Sequence, residues 1–150
     1  MSKPSRSAFE GFTAVVPEGW SAAREETTYS EAADHAPTRF LPPTGQGRLR
    51  VSLPLIDPED QPGADTEELK AMAWEWGTRR GIEEPLWWAT ELRSGVARAA
   101  VTYRIGDDFV ALWLLSDGAS LVEATYVCPW DRREADRAAR EALVASLRLR

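Results

Sequence analysis

A single cysteine and a single histidine in 150 residues exclude more than any motif in this chain supplies. Cys128 has no partner for an internal disulfide, and one thiol with one imidazole cannot build a structural zinc site. Long apolar runs are missing as well. Nothing approaches the ~18 apolar residues of a membrane span, and the opening MSKPSRSAFEGF lacks the apolar core of a signal peptide. The expectation is a cytoplasmic protein with no membrane span. Lysine is nearly absent, since 16 of the 18 basic residues are arginine, and acids outnumber bases to leave a net charge of −6. Without a clustered basic face, that balance argues against nucleic acid as a partner. There is no glycine-rich phosphate loop after a strand, no G-x-S-x-G elbow and no H-E-x-x-H. No constellation supports an enzyme, and no cofactor or metal is expected.

What the chain does have is a stretch on which the rest is organised. Residues 96–128 hold three apolar-rich runs separated by Gly106-Asp107 and Asp117-Gly118. Glycine first suits a type II′ hairpin, and Asp-Gly suits type I′. The spacing predicts an antiparallel meander of residues 96–105, 108–116 and 119–128. Two-residue loops would align Tyr103, Val110 and Thr125, and then Val101, Leu112 and Glu123. The middle run, Phe109–Leu115, is apolar at every position, so both its faces should be covered. A slip of one residue would exchange those faces.

Earlier segments are read as a polar tail at 1–7, a loose strand from Phe9 to Val16, a weaker polar strand from Glu25 to Ala32, a short one at Thr38–Leu41 and a confident one at Gly47–Leu55. Pro54 suggests an edge or a bulge there. Asp65-Thr66-Glu67-Glu68 resembles a capping box. It opens a helix whose stripe is Leu69, Met72, Ala73 and Trp76 and which closes at Gly81. Pro85–Leu92 reads as a further strand. Asp131 with Glu134 opens a last helix, directing Ala135, Ala139, Ala142, Leu143 and Leu147 to the sheet. The expected fold is one α+β domain over residues 1–150. Its antiparallel sheet, with the meander at its C-terminal end, is covered by a middle and a C-terminal helix.

The early FTAVVPEGW, the GRLRVSL strand before a helix and the closing LVEATYVC…READRAAREALVASLRL resemble the PsbP/DcrB-like superfamily. The resemblance implies a binding scaffold that is generally not an enzyme. The superfamily includes photosystem-associated subunits, small-GTPase-binding proteins, bacterial lipoproteins and chaperone-like adaptors of type VI secretion effectors. No motif selects a branch.

Four residues are candidate binding positions. Trp74 lies about 200° around the helix from Trp76 and has no evident core to enter. Trp87 and Trp88 point to opposite sides of their strand. Glu123 is a carboxylate on an apolar row, where burial would raise its pKa. His35 reads as a loop residue, Cys128 as a small buried hydrophobe, and the Asp57, Glu59, Asp60 and Asp65 group as a solvated turn lacking calcium-loop spacing. The leading expectation is a protein-binding module, of secretion-adaptor or immunity type, whose aromatic patch near Trp74 and Trp87 docks an apolar partner segment or a second copy in a homodimer. The alternative is a small ligand in a cleft between sheet and helix, anchored by Glu123.

Overall fold

The structure is a computed structural model describing residues 5–25, 37–54 and 56–150. The polar strand expected over residues 25–32, apart from its first residue, and His35 lie outside these. The described elements run β1 (Arg6–Ala8), β2 (Phe12–Val15), β3 (Ser21–Arg24), β4 (Thr38–Leu41), β5 (Arg48–Ser52), α1 (Thr66–Thr78), β6 (Trp87–Arg93), β7 (Val96–Ile105), β8 (Asp108–Ser116), β9 (Leu121–Pro129), α2 (Arg137–Ala145) and β10 (Arg148–Leu149). Seven strands form one antiparallel sheet in the order β3-β4-β5-β9-β8-β7-β6, and β1-β2-β10 form a small second sheet. The architecture is α+β, as expected.

The predicted meander is present and gains a fourth strand. Ser94 and Gly95 both take positive φ, 53° and 77°, which makes the β6–β7 link the two-residue loop with type I′ character. Gly106 is positive and Asp107 is not, and β7 pairs with β8 in the expected register, Tyr103 opposite Val110. The β8–β9 register differs from expectation by two residues. Leu112 faces Thr125, and Leu114 faces Glu123. The loop there has four residues, because the Asp117 carboxylate accepts the backbone N–H groups of Ala119 and Ser120 at 2.8 and 2.7 Å. A two-residue slip preserves the faces, so the core assignment survives.

Each face of the sheet carries a layer. On one, α1 lies across β7 and β8, packing Leu69 and Ala73 on Ala99, Val101, Tyr103, Leu112 and Leu114. Asp65 caps it from extended backbone, accepting from the N–H groups of Glu67 and Glu68, while Glu68 reaches back to the Gly63 N–H. On the other face, α2 and the small sheet pack Leu143, Val144, Leu147, Phe12 and Ala14 against Phe40, Leu49, Leu115, Val122 and Tyr126. Each such buried side chain contributes on the order of 1.5–3 kcal/mol.

Four local expectations are corrected. Arg6 and Ser7, read as tail, belong to β1, which pairs with β2. Pro54 follows the end of β5, which is an interior strand between β4 and β9. The last helix begins at Arg137 and not at Asp131, because Trp130–Arg132 form a 3-10 turn and Asp136 flips to a left-handed φ of 52°. Thr44 Oγ1 donates to the Asp136 carboxylate at 2.6 Å there. Arg140 and Val144 are then buried, while Ala142 faces solvent.

Candidate functional site

Among the described residues, the two covering layers leave part of the sheet open. On the α2 face the layer stops over β8, leaving a groove of about 960 Å³ between α2 and the strands β6, β7 and β8. The register explains the depression. Ala89, Ala100 and Ala111 bring small side chains to this face, beside Thr102 and the half-buried Trp113. Trp87 forms the outer rim on β6, and Phe109 and Trp130 close one end. The guanidinium groups of Arg104 and Arg133 both lie over Trp130, at 4.5 and 4.1 Å from its ring.

The α2 wall is charged but largely self-satisfied. Arg137 bridges Glu134 and Glu141 at 3.0 and 3.2 Å, and its hydrogen bond holds the exposed Glu134 carboxyl below its ordinary pKa. From the floor, Arg98 donates to the carbonyls of Leu147 at 3.0 Å and Val144 at 3.4 Å, so it caps the C-terminal end of α2. Burial lowers the Arg98 pKa, and Glu91 across the strand pair works in the opposite direction.

Arg140 stands apart. It is 3% exposed, lies over the rings of Phe109 and Tyr126 at 5.1 and 4.7 Å, and its Nη1 has no hydrogen-bond partner among the described residues. The neighbouring Tyr126 hydroxyl likewise has none. That ring can reach its position because Gly47 lacks a Cβ, which would sit 2.1 Å from the hydroxyl oxygen. Burial raises the pKa of Tyr126 and of the Cys128 thiol beside it. Cys128 is thus a buried free thiol whose surroundings disfavour the thiolate.

The residues singled out from the sequence are split between the two faces. Trp87 lines the groove. Trp88 points to the α1 face, where its ring meets Trp74 edge-on at 5.6 Å and 73°, with Lys70 Nζ 4.0 Å above it. Trp74 is half-buried against the core under α1. The helix buries the stripe Leu69, Ala73 and Gly77, so Trp74 flanks it on one side while Met72 and Trp76 flank it on the other. Glu123 is also on the α1 face and does not line the groove. It is half-buried at the border between α1 and the open polar half of that face. Burial raises its pKa, and the Arg80 and Arg50 cations oppose the rise. The groove's own residues, the three alanines with Phe109, Trp113 and Arg140, were not singled out. Their signal was the small side chains, Ala89 opposite Ala100 and Thr102 opposite Ala111, that the β6–β7–β8 register brings together on one face.

Among the described residues no group of three or more histidine, cysteine or acidic side chains is arranged to hold a metal ion. No described helix is long and apolar enough to cross a membrane.

No family model matches the chain, and no curated protein matches its sequence. Solved structures do match its fold. The solution structure of cyanobacterial PsbP (CyanoP) from Synechocystis superposes with a TM-score of 0.67 at 12% identity, covering 97% of this chain and 92% of that one. A crystal structure from Bacteroides thetaiotaomicron gives 0.53 at 16% identity, over 93% of this chain and 45% of the other. At these identities the likeness establishes a PsbP-like fold.

Proposed function

We propose that this PsbP-like chain is a non-catalytic protein-binding module that holds an extended apolar segment of a partner in the groove between α2 and β6–β8. One observation carries the reading: among the described residues, a sheet surface floored by Ala89, Ala100 and Ala111, rimmed by Trp87 and Trp113, is left open although α2 and the small sheet cover the rest of that face. An uncovered apolar concavity of this size is the kind of surface that partners fill. Trp at its rim offers the large rigid contacts typical of binding hot spots. The adaptor or immunity role expected from the sequence would be one use of such a groove.

The test is to pan a random peptide library on the immobilised protein and compare the selected peptides on two floor variants, Ala100→Arg and Thr102→Lys. Apolar peptides that lose at least tenfold in affinity on both variants, with melting temperatures unchanged, support the reading. Peptides that bind the variants as well as the wild type would place the site elsewhere.

Arg140 favours a second reading, a small amphipathic carboxylate with its tail along the alanines and its head towards the buried guanidinium. A buried cation without an acceptor contributes little to stability, and an apolar replacement is often neutral or better. Arg140→Met should therefore fold normally and lose binding of a long-chain carboxylate such as laurate. Equal laurate binding by both proteins would discard this reading.

A further inference from the structure

Among the described residues β6 is the outer edge of the seven-stranded sheet, and the charges of Glu91 and Arg93 guard it only in part. Such strands are commonly short, charged or interrupted. β6 runs seven residues, WWATELR, with Trp87 55%, Trp88 45% and Leu92 62% exposed. The opposite edge, β3, is SAAR, whose one long side chain, Arg24, pairs with Glu10 at 3.1 Å.

We propose that β6 is a dimerisation edge, on which a second copy of this chain pairs antiparallel about a two-fold axis through Thr90. The case rests on register. A two-fold axis normal to the sheet preserves its faces, so one residue must oppose its own copy and the others pair symmetrically around it. Centred on Thr90, Trp88 meets Leu92 of the second copy on the α1 face, and Trp87 meets Arg93 of the second copy on the groove face. Ala89 meets Glu91, and threonine meets threonine. Each of these pairs occurs twice except the central one, and no like charges stand directly opposite.

Neighbouring registers are worse. Centring on Ala89 pairs Leu92 with Leu86 of the second copy but sets Trp88 against Thr90 and Trp87 against Glu91. Centring on Glu91 places two carboxylates face to face. Centring on Trp88 stacks the two tryptophans but sets Leu92 against Glu84 and Glu91 against Pro85. The Thr90 register alone covers Trp88 and Leu92 with apolar partners. It extends the Trp74–Trp88 contact into Leu92 of the second copy. The groove, open towards β6, would then continue across the axis, with Arg93 of the second copy beside Trp87.

The experiment is sedimentation velocity over a concentration series, joined to cysteine crosslinking. The wild type should reach about twice the 16.7 kDa chain mass. Leu92→Lys, at an exposed position, should keep its far-UV spectrum and melting temperature yet self-associate about tenfold more weakly or worse. Thr90→Cys should give a covalent dimer with a short thiol crosslinker, and Glu91→Cys should not. A wild type that stays monomeric throughout overturns the proposal. So does a dimer indifferent to Leu92→Lys, or crosslinking through Glu91→Cys in place of Thr90→Cys. A monomer whose Leu92→Lys variant instead loses an apolar peptide would assign the edge to a different protein and overturn it equally.

Discussion

Gly77 sits inside α1, where glycine costs roughly 1 kcal/mol against alanine, because Tyr103 takes the space. A Cβ at that position would lie 2.6 Å from the Tyr103 ring and hydroxyl, and that hydroxyl donates to the Ala73 carbonyl at 2.7 Å. Gly77→Ala should therefore lower stability by about 1–3 kcal/mol in denaturant unfolding, against its helix propensity. A gain would mean that Tyr103 can withdraw freely. Glu123 makes a prediction with a pH signature. Its carboxyl pKa is raised by burial in the folded state, so the folded chain binds that proton more tightly than the unfolded one. The resulting penalty is absent below the unfolded value, about 4.3, and grows as pH rises through the folded value. Glu123→Gln should be at least as stable as the wild type at neutral pH, and its advantage should shrink as pH falls towards that unfolded value. A difference that grows on acidification would contradict the burial account. The buried carboxylate was legible from the sequence as an oddity. Its separation from the groove was not, because nothing local in the sequence shows that the open concavity lies on the Ala100, Ala111 and Trp113 face, opposite to Glu123.

At the scale of elements, α1 shows how a correct stripe can misjudge one side chain. The periodicity of Leu69, Met72, Ala73 and Trp76 located the helix and its buried side, but the band centred on Leu69, Ala73 and Gly77 is wide enough to half-bury Trp74 as well. What holds Trp74 is the next strand, through Trp88, and no helical spacing reveals that contact. Trp74→Ala should therefore cost about 1–2 kcal/mol, below the range for a full core tryptophan and above that for a surface one. An unchanged unfolding midpoint would return Trp74 to the surface. The hairpins were legible where glycine dictated the turn, at Gly106, and misread where a side chain did, at Asp117. The start of α2 was hidden for a similar reason. Asp131 and Glu134 look like a cap, but the left-handed turn at Asp136, tethered by Thr44, delays the helix to Arg137.

At the scale of the molecule, the informative fact is that the described residues leave two regions of the sheet uncovered, of opposite character. On the α1 face the open half carries Arg48, Arg50, Thr125 and Glu123, with Arg50 paired to Glu25 at 2.9 Å, and water satisfies it. On the α2 face the open half is apolar, and water does not. Six of the seven tryptophans report on this division directly, since Trp87, Trp113 and Trp130 border the groove while Trp74, Trp76 and Trp88 lie on the α1 face. The decisive measurement follows their indole N–H resonances while a library-selected apolar peptide is titrated in at fixed protein concentration. The groove account predicts progressive shifts for Trp87, Trp113 and Trp130, with Trp74, Trp76 and Trp88 unmoved. Shifts confined to Trp74 and Trp88 would contradict it.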